Sequence, residues 1–136
     1  MPSEQTAFFD TNVLLYLLSK DQSKADRAEE LLADGGVVSV QVLNDFVSVA
    51  NRKLAMKWNE IKDCLEPLRI ILRVQPLTID THDQALAIAE RYNVSFYDAL
   101  IVAAAKLSGC TRLYSEDLQH GQVFEKSLTV HNPFKA

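Results

Sequence analysis

The chain has 136 residues, 48% of them hydrophobic and 24% charged, which is the composition of an ordinary globular protein of one domain. Its formal charge of −4 argues against a protein that coats polyanions, without excluding an enzyme that acts on nucleic acid. The two cysteines, Cys64 and Cys110, form no CxxC and have no nearby histidine pair, which argues against a zinc site and a disulfide framework.

The first half of the chain alternates short apolar segments with helical patterns. Two short runs predict buried strands, Ala7–Phe9 and Val37–Ser39. Helices are expected in three segments, Asn12–Leu18, Lys24–Ala33 and Ser39 to about Leu54. The last of these helices has an apolar face made of Leu43, Phe46, Val47, Ala50 and Leu54.

The second half continues the same alternation. A helix begins near Trp58, and Pro67 is expected to kink or restart it. The later helices and extended segments are Arg73–Ile79 (extended), Thr81–Tyr92 (helix), Ser95–Leu107 (helix), Thr111–Tyr114 (strand) and Leu128–His131 (strand). Strands that alternate with helices predict an α/β fold with a mostly parallel sheet.

No segment indicates export or membrane insertion. The N-terminal stretch Met1–Gln5 lacks the basic residues and the apolar region of a signal peptide. Polar and charged residues interrupt the apolar stretches Phe8–Leu18 and Val94–Leu107, and both are shorter than a membrane span. We therefore predict a cytoplasmic protein that forms a single domain over residues 1–136.

Asp10 follows the first predicted strand and precedes a helix, and Asp117 follows a later strand in the same way. Strand ends of this kind meet at the carboxyl edge of a parallel sheet, where open α/β folds place their ligands. The two carboxylates therefore predict half of a metal site. Each also has a local explanation, since Asp10 or Thr11 can cap the helix and Asp117 suits a turn.

Asp98 and Asp45 are the other candidate site residues. Asp98 falls in the apolar segment Val94–Leu107, where an unpaired charge is unfavourable, although it also completes a Ser-x-x-Asp capping box with Ser95. Asp45 lies off the apolar face of its helix, where a solvated surface residue is the simpler interpretation. Four carboxylates brought together would repel one another, and a divalent cation removes that repulsion. Oxygen ligands alone favour Mg²⁺ or Mn²⁺, and such a site suits hydrolysis of phosphodiesters.

Four segments of the chain resemble those of PIN-domain ribonucleases, in particular the VapC-like toxins of bacterial toxin–antitoxin pairs. The segments are Phe9–Leu14, Ser39–Phe46, Phe96–Ile101 and Leu113–Asp117. The resemblance extends over about residues 6–133. It implies a three-layer α/β/α fold around the mostly parallel sheet, and a metal-dependent endoribonuclease that leaves 5′-phosphate and 3′-hydroxyl ends.

The resemblance also implies which residues form the site. The acids of the family fall on Asp10, Asp45, Asp98 and Asp117, which are then both catalytic residues and ligands of Mg²⁺ or Mn²⁺. The family usually has Glu at the position of Asp45, so the side chain here is one methylene shorter. Asn12 and Ser115 match polar positions that support the acids, whereas Glu116 is not the residue that the motif implies. The expected partners are RNA, a small antitoxin and a second copy of the chain.

A basic cluster with an aromatic residue follows the helix of Asp45 and consists of Arg52, Lys53, Lys57 and Trp58. Such residues can contact phosphates and stack on a base, and they are also typical of a solvated helix end. The histidines have no metal-ligand spacing and are interpreted as structural or surface residues; they are His82, His120 and His131.

Two other functions remain open from the sequence. The first is an aspartyl-phosphate phosphatase with Asp10 as its nucleophile. Such enzymes have a second Asp two residues later, and the Asn12 found at that position argues against this function. The second is a non-catalytic PIN-like module that binds RNA or protein, which the change to Asp45 keeps open. Binding of Mn²⁺ discriminates the second alternative from a nuclease.

Overall fold

The computed structural model describes residues 7–134, and the N-terminal stretch Met1–Gln5 lies outside this range. Within it, the helices are α1 (Thr11–Leu15), α2 (Gln22–Ala33), α3 (Val40–Arg52), α4 (Trp58–Ile71), α5 (Ile79–Tyr92) and α6 (Phe96–Leu107), with a 3₁₀ turn at Tyr16–Leu18. The strands are β1 (Ala7–Phe9), β2 (Gly36–Ser39), β3 (Leu72–Gln75), β4 (Arg112–Tyr114), β5 (Val123–Phe124) and β6 (Leu128–His131).

The strands form a single sheet in the order β3-β2-β1-β4-β6-β5. All neighbouring strands are parallel except β5, which runs antiparallel to β6. In the middle of the sheet, Phe8 of β1 lies opposite Val37 of β2 on one side and Leu113 of β4 on the other. The prediction of an α/β fold with a mostly parallel sheet is therefore confirmed. The ends of β1 and β4 lie side by side, and Asp10 and Asp117 follow them.

The most apolar helix, α6, is buried along its middle. Seven consecutive residues, Ala99 to Ala105, are buried, as expected for a helix that is hydrophobic all round. Ser95 caps the start of this helix by accepting a hydrogen bond from the Asp98 backbone N–H at 3.1 Å. The cap thereby places Asp98 in the first turn, at the end of an otherwise apolar element.

The close approach of β1 to β2 requires glycine at position 36. Gly36 has a φ of 140°, and a Cβ atom there would lie 2.5 Å from the Phe9 ring and 2.8 Å from the Ala7 carbonyl oxygen. The Gly35-Gly36 pair therefore ends α2 and also allows β2 to pack beside β1.

The predicted bound of one extended segment was wrong, and one of the two expected effects of Pro67 does not occur. Pro67 was expected to kink or restart its helix, and it lies inside α4, which does not restart there. Asp63, whose carbonyl loses its helical partner to the proline, and Pro67 itself are both exposed, so water can replace the missing bond. Ile79 is helical and not extended, because Thr78 and Thr81 form a capping box that starts α5 at that residue.

Two smaller differences concern single elements. The sequence did not predict β5, whose two residues pair only through the antiparallel register with β6. Leu54, expected on the apolar face of α3, is 49% exposed because the helix ends at Arg52. No helix within residues 7–134 has the length and apolar character needed to cross a membrane.

Candidate active site

The four acidic residues singled out in the sequence lie around one open cleft of about 420 Å³ at the carboxyl edge of the sheet. Asp10 follows β1, Asp45 lies within α3, Asp98 lies in the first turn of α6, and Asp117 follows β4. The polar residues that share this lining with the acids are Thr11, Asn12, Gln41, Ser48 and Tyr97. The fold thus brings together carboxylates that lie up to 107 residues apart in the sequence.

Asp10 is the most buried of the four acids, with 6% of its surface exposed. One carboxylate oxygen accepts a hydrogen bond from the Thr11 backbone N–H at 2.7 Å, and the other accepts one from the Ser115 hydroxyl at 2.8 Å. The Asp10 backbone N–H donates to the Tyr114 carbonyl at 2.9 Å, which ties the ends of β1 and β4 together. The local interpretation of Asp10 as a helix cap is therefore correct, and the same carboxylate lines the cleft.

Burial raises the pKa of Asp10 to about 6. The hydrogen bonds from Ser115 and Thr11 oppose this rise, and the nearby carboxylates of Asp117 and Asp98 add to it. The charged form of Asp10 therefore lacks a positively charged neighbour that would stabilise it. Among the described residues that line the cleft, none is Lys, Arg or His.

Ser115 and Asn12 connect Asp10 to the loop that carries Asp117. The Ser115 hydroxyl donates to Asp10 and accepts hydrogen bonds from the backbone N–H groups of Asp117 at 3.2 Å and Leu118 at 3.3 Å. The Asn12 amide donates to the Asp117 carboxylate at 3.2 Å. The two residues that the sequence predicted as supporting groups thus contact the two acids at the strand ends.

The Glu116 carboxylate and the carboxylate of its neighbour Asp117 have different hydrogen-bond donors. Its carboxylate oxygens lie 2.7 and 2.8 Å from the Tyr16 hydroxyl, which donates to them, and the Lys24 ammonium lies 4.9 Å from the centre of the Tyr16 ring. The Glu116 backbone N–H donates to the Asn12 amide oxygen at 3.3 Å. Glu116 therefore fastens the loop to the 3₁₀ turn, an interaction that the sequence did not reveal.

Asp98 and Asp45 face the cleft from two helices. Asp98 is half-buried, and Asp45 lies at an exposed position of α3. Partial desolvation nevertheless raises the pKa of the Asp45 carboxyl, while the neighbouring side chains of Gln41 and Thr11 lower it. All four acids therefore reach the same cleft, although they differ in burial.

One buried carbonyl oxygen in the wall of the cleft, Gln41 Oε1, has no hydrogen-bond partner within residues 7–134. Thr11 Oγ1 is also buried and makes no hydrogen bond of ordinary length there, but it lies close enough to Asp45 to lower the pKa of that carboxyl. Gln41 is 8% exposed and lies one helical turn before Asp45 on α3. Neither residue was predicted as part of the site, although a glutamine four positions before a candidate acid lies on the same side of a helix.

The chemistry of the cleft fits a hard divalent cation. Its walls carry carboxylate, hydroxyl and amide oxygens, and Mg²⁺ and Mn²⁺ prefer such ligands. As the side chains stand, no three acidic, His or Cys residues in the described part of the chain form a group that could already hold a metal ion. The donor set and the charge therefore fit the cation, and the coordination sphere itself is not assembled.

The basic cluster adjoins the acidic cleft along α3. Arg52 and Lys53 line a second concavity of about 230 Å³, which shares Ser48 and Val49 with the cleft. Trp58 is 61% exposed at the start of α4. The positive charges of Arg52 and Lys53 thus lie next to the acidic cleft, and an exposed aromatic ring begins the following helix.

The three histidines lie in other surroundings. The His82 ring packs edge-on against Phe96, with 5.5 Å between ring centres. His120 and His131 lie 6.0 Å apart, and His120 Nδ1 accepts a hydrogen bond from the Asn132 backbone N–H at 3.0 Å. These contacts agree with the structural or surface roles expected from the sequence.

Comparison with known proteins places this fold. A family profile described as PIN domain matches residues 7–125. Three solved structures are similar. VapC20 of Mycobacterium tuberculosis, a sarcin–ricin loop cleaving toxin, is 24% identical, with 82% of this chain and 89% of that chain covered and a TM-score of 0.66. A toxin–antitoxin complex from Klebsiella pneumoniae is 20% identical (coverage 96% and 99%, TM-score 0.71), and VapBC2 from Rickettsia felis bound to a promoter DNA fragment is 18% identical (coverage 92% and 96%, TM-score 0.63). No curated protein sequence matches the chain. At these identities the structural likeness concerns the fold.

Proposed function

The chain belongs to the PIN-domain family, as its motifs predict, and from this membership we propose that it is a metal-dependent endoribonuclease that hydrolyses phosphodiester bonds of RNA. The observation that carries the proposal is the acidic cleft. Four carboxylates from separate segments line it, and Asp10 has a raised pKa without a cationic neighbour. A divalent cation is the partner that makes such a cluster favourable.

Asp10, Asp45, Asp98 and Asp117 would hold Mg²⁺ or Mn²⁺. When bound, the cation supplies the positive charge that activates water and stabilises the negative charge developing on the phosphate. Hydrogen bonds within the chain orient two of these acids, Asp10 and Asp117.

Ser115 and the Thr11 backbone N–H fix both oxygens of Asp10 by hydrogen bonds at 2.8 and 2.7 Å. Asn12 holds the carboxylate of Asp117 at 3.2 Å, so the two strand-end acids keep a fixed orientation toward each other. Because Asp10 is 6% exposed and both its oxygens already accept hydrogen bonds, its position does not favour the alternative role of a phosphatase nucleophile.

The basic cluster is the proposed binding surface for the RNA backbone. Arg52 and Lys53 adjoin the acidic cleft, and their charges would attract the phosphates on either side of the cleaved bond. Lys57 and Trp58 follow in sequence and would extend this surface, and the 61% exposed ring of Trp58 would stack on an unpaired base. RNA would thus cross from a positive surface into the cleft.

We further propose that the protein is a cytoplasmic homodimer and the toxin of a toxin–antitoxin pair. The similar structures from Klebsiella pneumoniae and Rickettsia felis are toxin–antitoxin assemblies, which supports a small antitoxin as partner. An apolar groove of about 340 Å³ next to the cleft offers a surface for it, lined by Leu15, Leu18, Val49 and Leu54. The presence of a short reading frame for a DNA-binding protein next to this one would support the assignment, and its absence would weaken it.

The proposal is tested by incubating the purified protein, free of any partner, with total bacterial RNA in Mn²⁺, Mg²⁺ or EDTA and mapping the fragment ends. We expect discrete cuts that require the metal and leave 5′-phosphate ends. Absence of cleavage, together with absence of Mn²⁺ binding by folded protein, would instead support the non-catalytic binding module.

A further inference from the structure

Gln41 is a buried amide in a wall otherwise dominated by acids. It lies on α3 one turn before Asp45, is 8% exposed, and lines the acidic cleft. Its amide oxygen has no hydrogen-bond partner within the described part of the chain. Buried polar atoms are nearly always paired in folded proteins, so an unpaired oxygen on a residue that lines the cleft indicates a missing partner.

The two ends of the Gln41 amide have different surroundings. Within residues 7–134 the Gln41 carbonyl oxygen is buried and accepts no hydrogen bond, whereas the amide nitrogen is not among the buried atoms without a partner. The carbonyl end is therefore the part of the amide that is left for a ligand.

A neutral oxygen is also the ligand that the charge of this cleft favours. Asp10, Asp45, Asp98 and Asp117 already contribute four carboxylates to the lining of the cleft. An amide carbonyl adds a hard oxygen ligand without adding negative charge, and divalent cations accept such ligands in proteins. Asp45 is one methylene shorter than the glutamate usual in the family, whereas Gln41 has a glutamate-length side chain on the same side of α3.

We propose that the Gln41 amide oxygen is an uncharged ligand of the divalent cation and acts beside Asp45 on the α3 wall. The inference rests on the proposed function, because it assumes that the acidic cleft binds Mg²⁺ or Mn²⁺. It adds a ligand that the acidic motifs do not contain.

The test measures the affinity of the partner-free protein for Mn²⁺ alone, by electron paramagnetic resonance of free Mn²⁺. Gln41→Met keeps the length of the side chain and removes its oxygen, and we expect it to weaken binding about tenfold or more. Gln41→Glu keeps an oxygen at the same reach and adds charge, so it should bind at least as tightly as the wild type.

Gln84→Met is the matched control. Gln84 Oε1 is likewise buried without a partner in residues 7–134, but Gln84 lies on α5 and is absent from the lining of the cleft. Its replacement should leave Mn²⁺ affinity unchanged. Near-ultraviolet circular dichroism checks the fold of each variant, and Gln41→Ser replaces Gln41→Met if the latter does not fold.

Three outcomes separate the possible failures. Unchanged affinity in Gln41→Met, while Asp98→Asn loses binding, overturns the role of Gln41 and leaves the nuclease proposal standing. Equal weakening by Gln41→Met and Gln41→Glu also overturns it, because the loss of the amide nitrogen, which is common to both variants, then explains the effect. If the folded wild type does not bind Mn²⁺ at all, both proposals fail together.

Discussion

Asp10 and Glu125 are both held by several hydrogen bonds, but their partners differ in charge. The Glu125 carboxylate accepts hydrogen bonds from Arg91 at 2.7 Å, Lys106 at 3.0 Å and the Tyr92 hydroxyl at 3.0 Å. Hydrogen bonds and positive charge from these partners lower the pKa of Glu125, and the hydrogen bonds from Lys106 and Tyr92 have the largest effect. Among the described residues, the Asp10 carboxylate accepts hydrogen bonds from a hydroxyl and a backbone N–H, and burial raises its pKa to about 6.

The difference separates a carboxylate that holds the structure together from one that is available for a ligand. Glu125 joins α5 and α6 to the loop after β5, and two cations satisfy its charge within the protein. Asp10 lies near Asp98 and Asp117 without a cation, so its charge remains available for a ligand. Perturbed carboxyl groups gathered in a cleft are typical of functional sites.

The largest expected effect is on RNA cleavage. Asp98→Asn should reduce cleavage on the order of 10³-fold or more, because it removes a charge from the acidic cleft. Glu125→Gln removes a charge of the same sign elsewhere and should leave the cleavage rate unchanged while slightly lowering the thermal midpoint. Initial rates on a defined RNA measure both variants. Full activity in a folded Asp98→Asn protein would show that the carboxylates of the acidic cleft matter no more for cleavage than that of Glu125.

The second effect is the pH dependence of Mn²⁺ affinity. Because the pKa of Asp10 is about 6, a cation that binds below this pH must displace a proton from the carboxyl group. Affinity should therefore fall about tenfold per pH unit below pH 6 and level off above it. Calorimetric titrations between pH 5 and 8 give the profile; a flat profile would show that Asp10 does not take part.

The third effect is on stability in the absence of divalent cations. A folded-state pKa raised from 3.8 to about 6 means that protonated Asp10 favours folding below pH 4, and that this contribution is lost as pH rises through 6. Asp10→Asn removes the buried charge but also one hydrogen bond with Ser115, so we expect a net gain of about 1 kcal/mol at pH 7.5.

Urea unfolding in EDTA at pH 7.5 and pH 4 measures this difference. At pH 4 the advantage of Asp10→Asn should disappear, because the wild-type carboxyl is then largely protonated in the folded protein. A variant less stable than the wild type at pH 7.5 would show that the Asp10 carboxylate is structural, like that of Glu125.

The smallest effect concerns the RNA surface. The double variant Arg52→Gln/Lys53→Gln should raise KM with kcat unchanged, and lower the dependence of log kcat/KM on log salt by about 1.4, at 0.7 per phosphate contact. Lys62→Gln/Arg69→Gln is the control, since these residues are exposed on α4 and line a different concavity. An equal salt dependence in both double variants would exclude Arg52 and Lys53 as phosphate contacts.

The sequence was most informative where local chemistry decides the structure. β1 lies at Ala7–Phe9 as predicted, and α6 runs between the Ser95 cap and Ser108 because the segment is apolar and bounded by polar residues. The motifs also pointed to Asp10 and Asp98, which lie at the ends of these elements. Such features depend on neighbouring residues and can therefore be inferred from the chain alone.

The sequence was less informative where distant elements meet. The hydrogen bonds of Tyr16 with Glu116 and of Arg91 with Glu125 join residues 100 and 34 positions apart, and no periodicity marks them. The burial of Gln41 depends on how α3 packs beside the cleft. In the sequence Gln41 is only a glutamine next to an apolar face, and that pattern does not predict an unpaired buried oxygen.

A calorimetric titration of Mn²⁺ at pH 7.5 shows whether the acidic cleft binds a divalent cation. We expect the wild type and Glu125→Gln to bind with equal affinity, and Asp98→Asn to bind at least about tenfold more weakly. Failure of the folded wild type to bind Mn²⁺, or binding by Asp98→Asn as tight as that of the wild type, would show that the cleft is not a cation site.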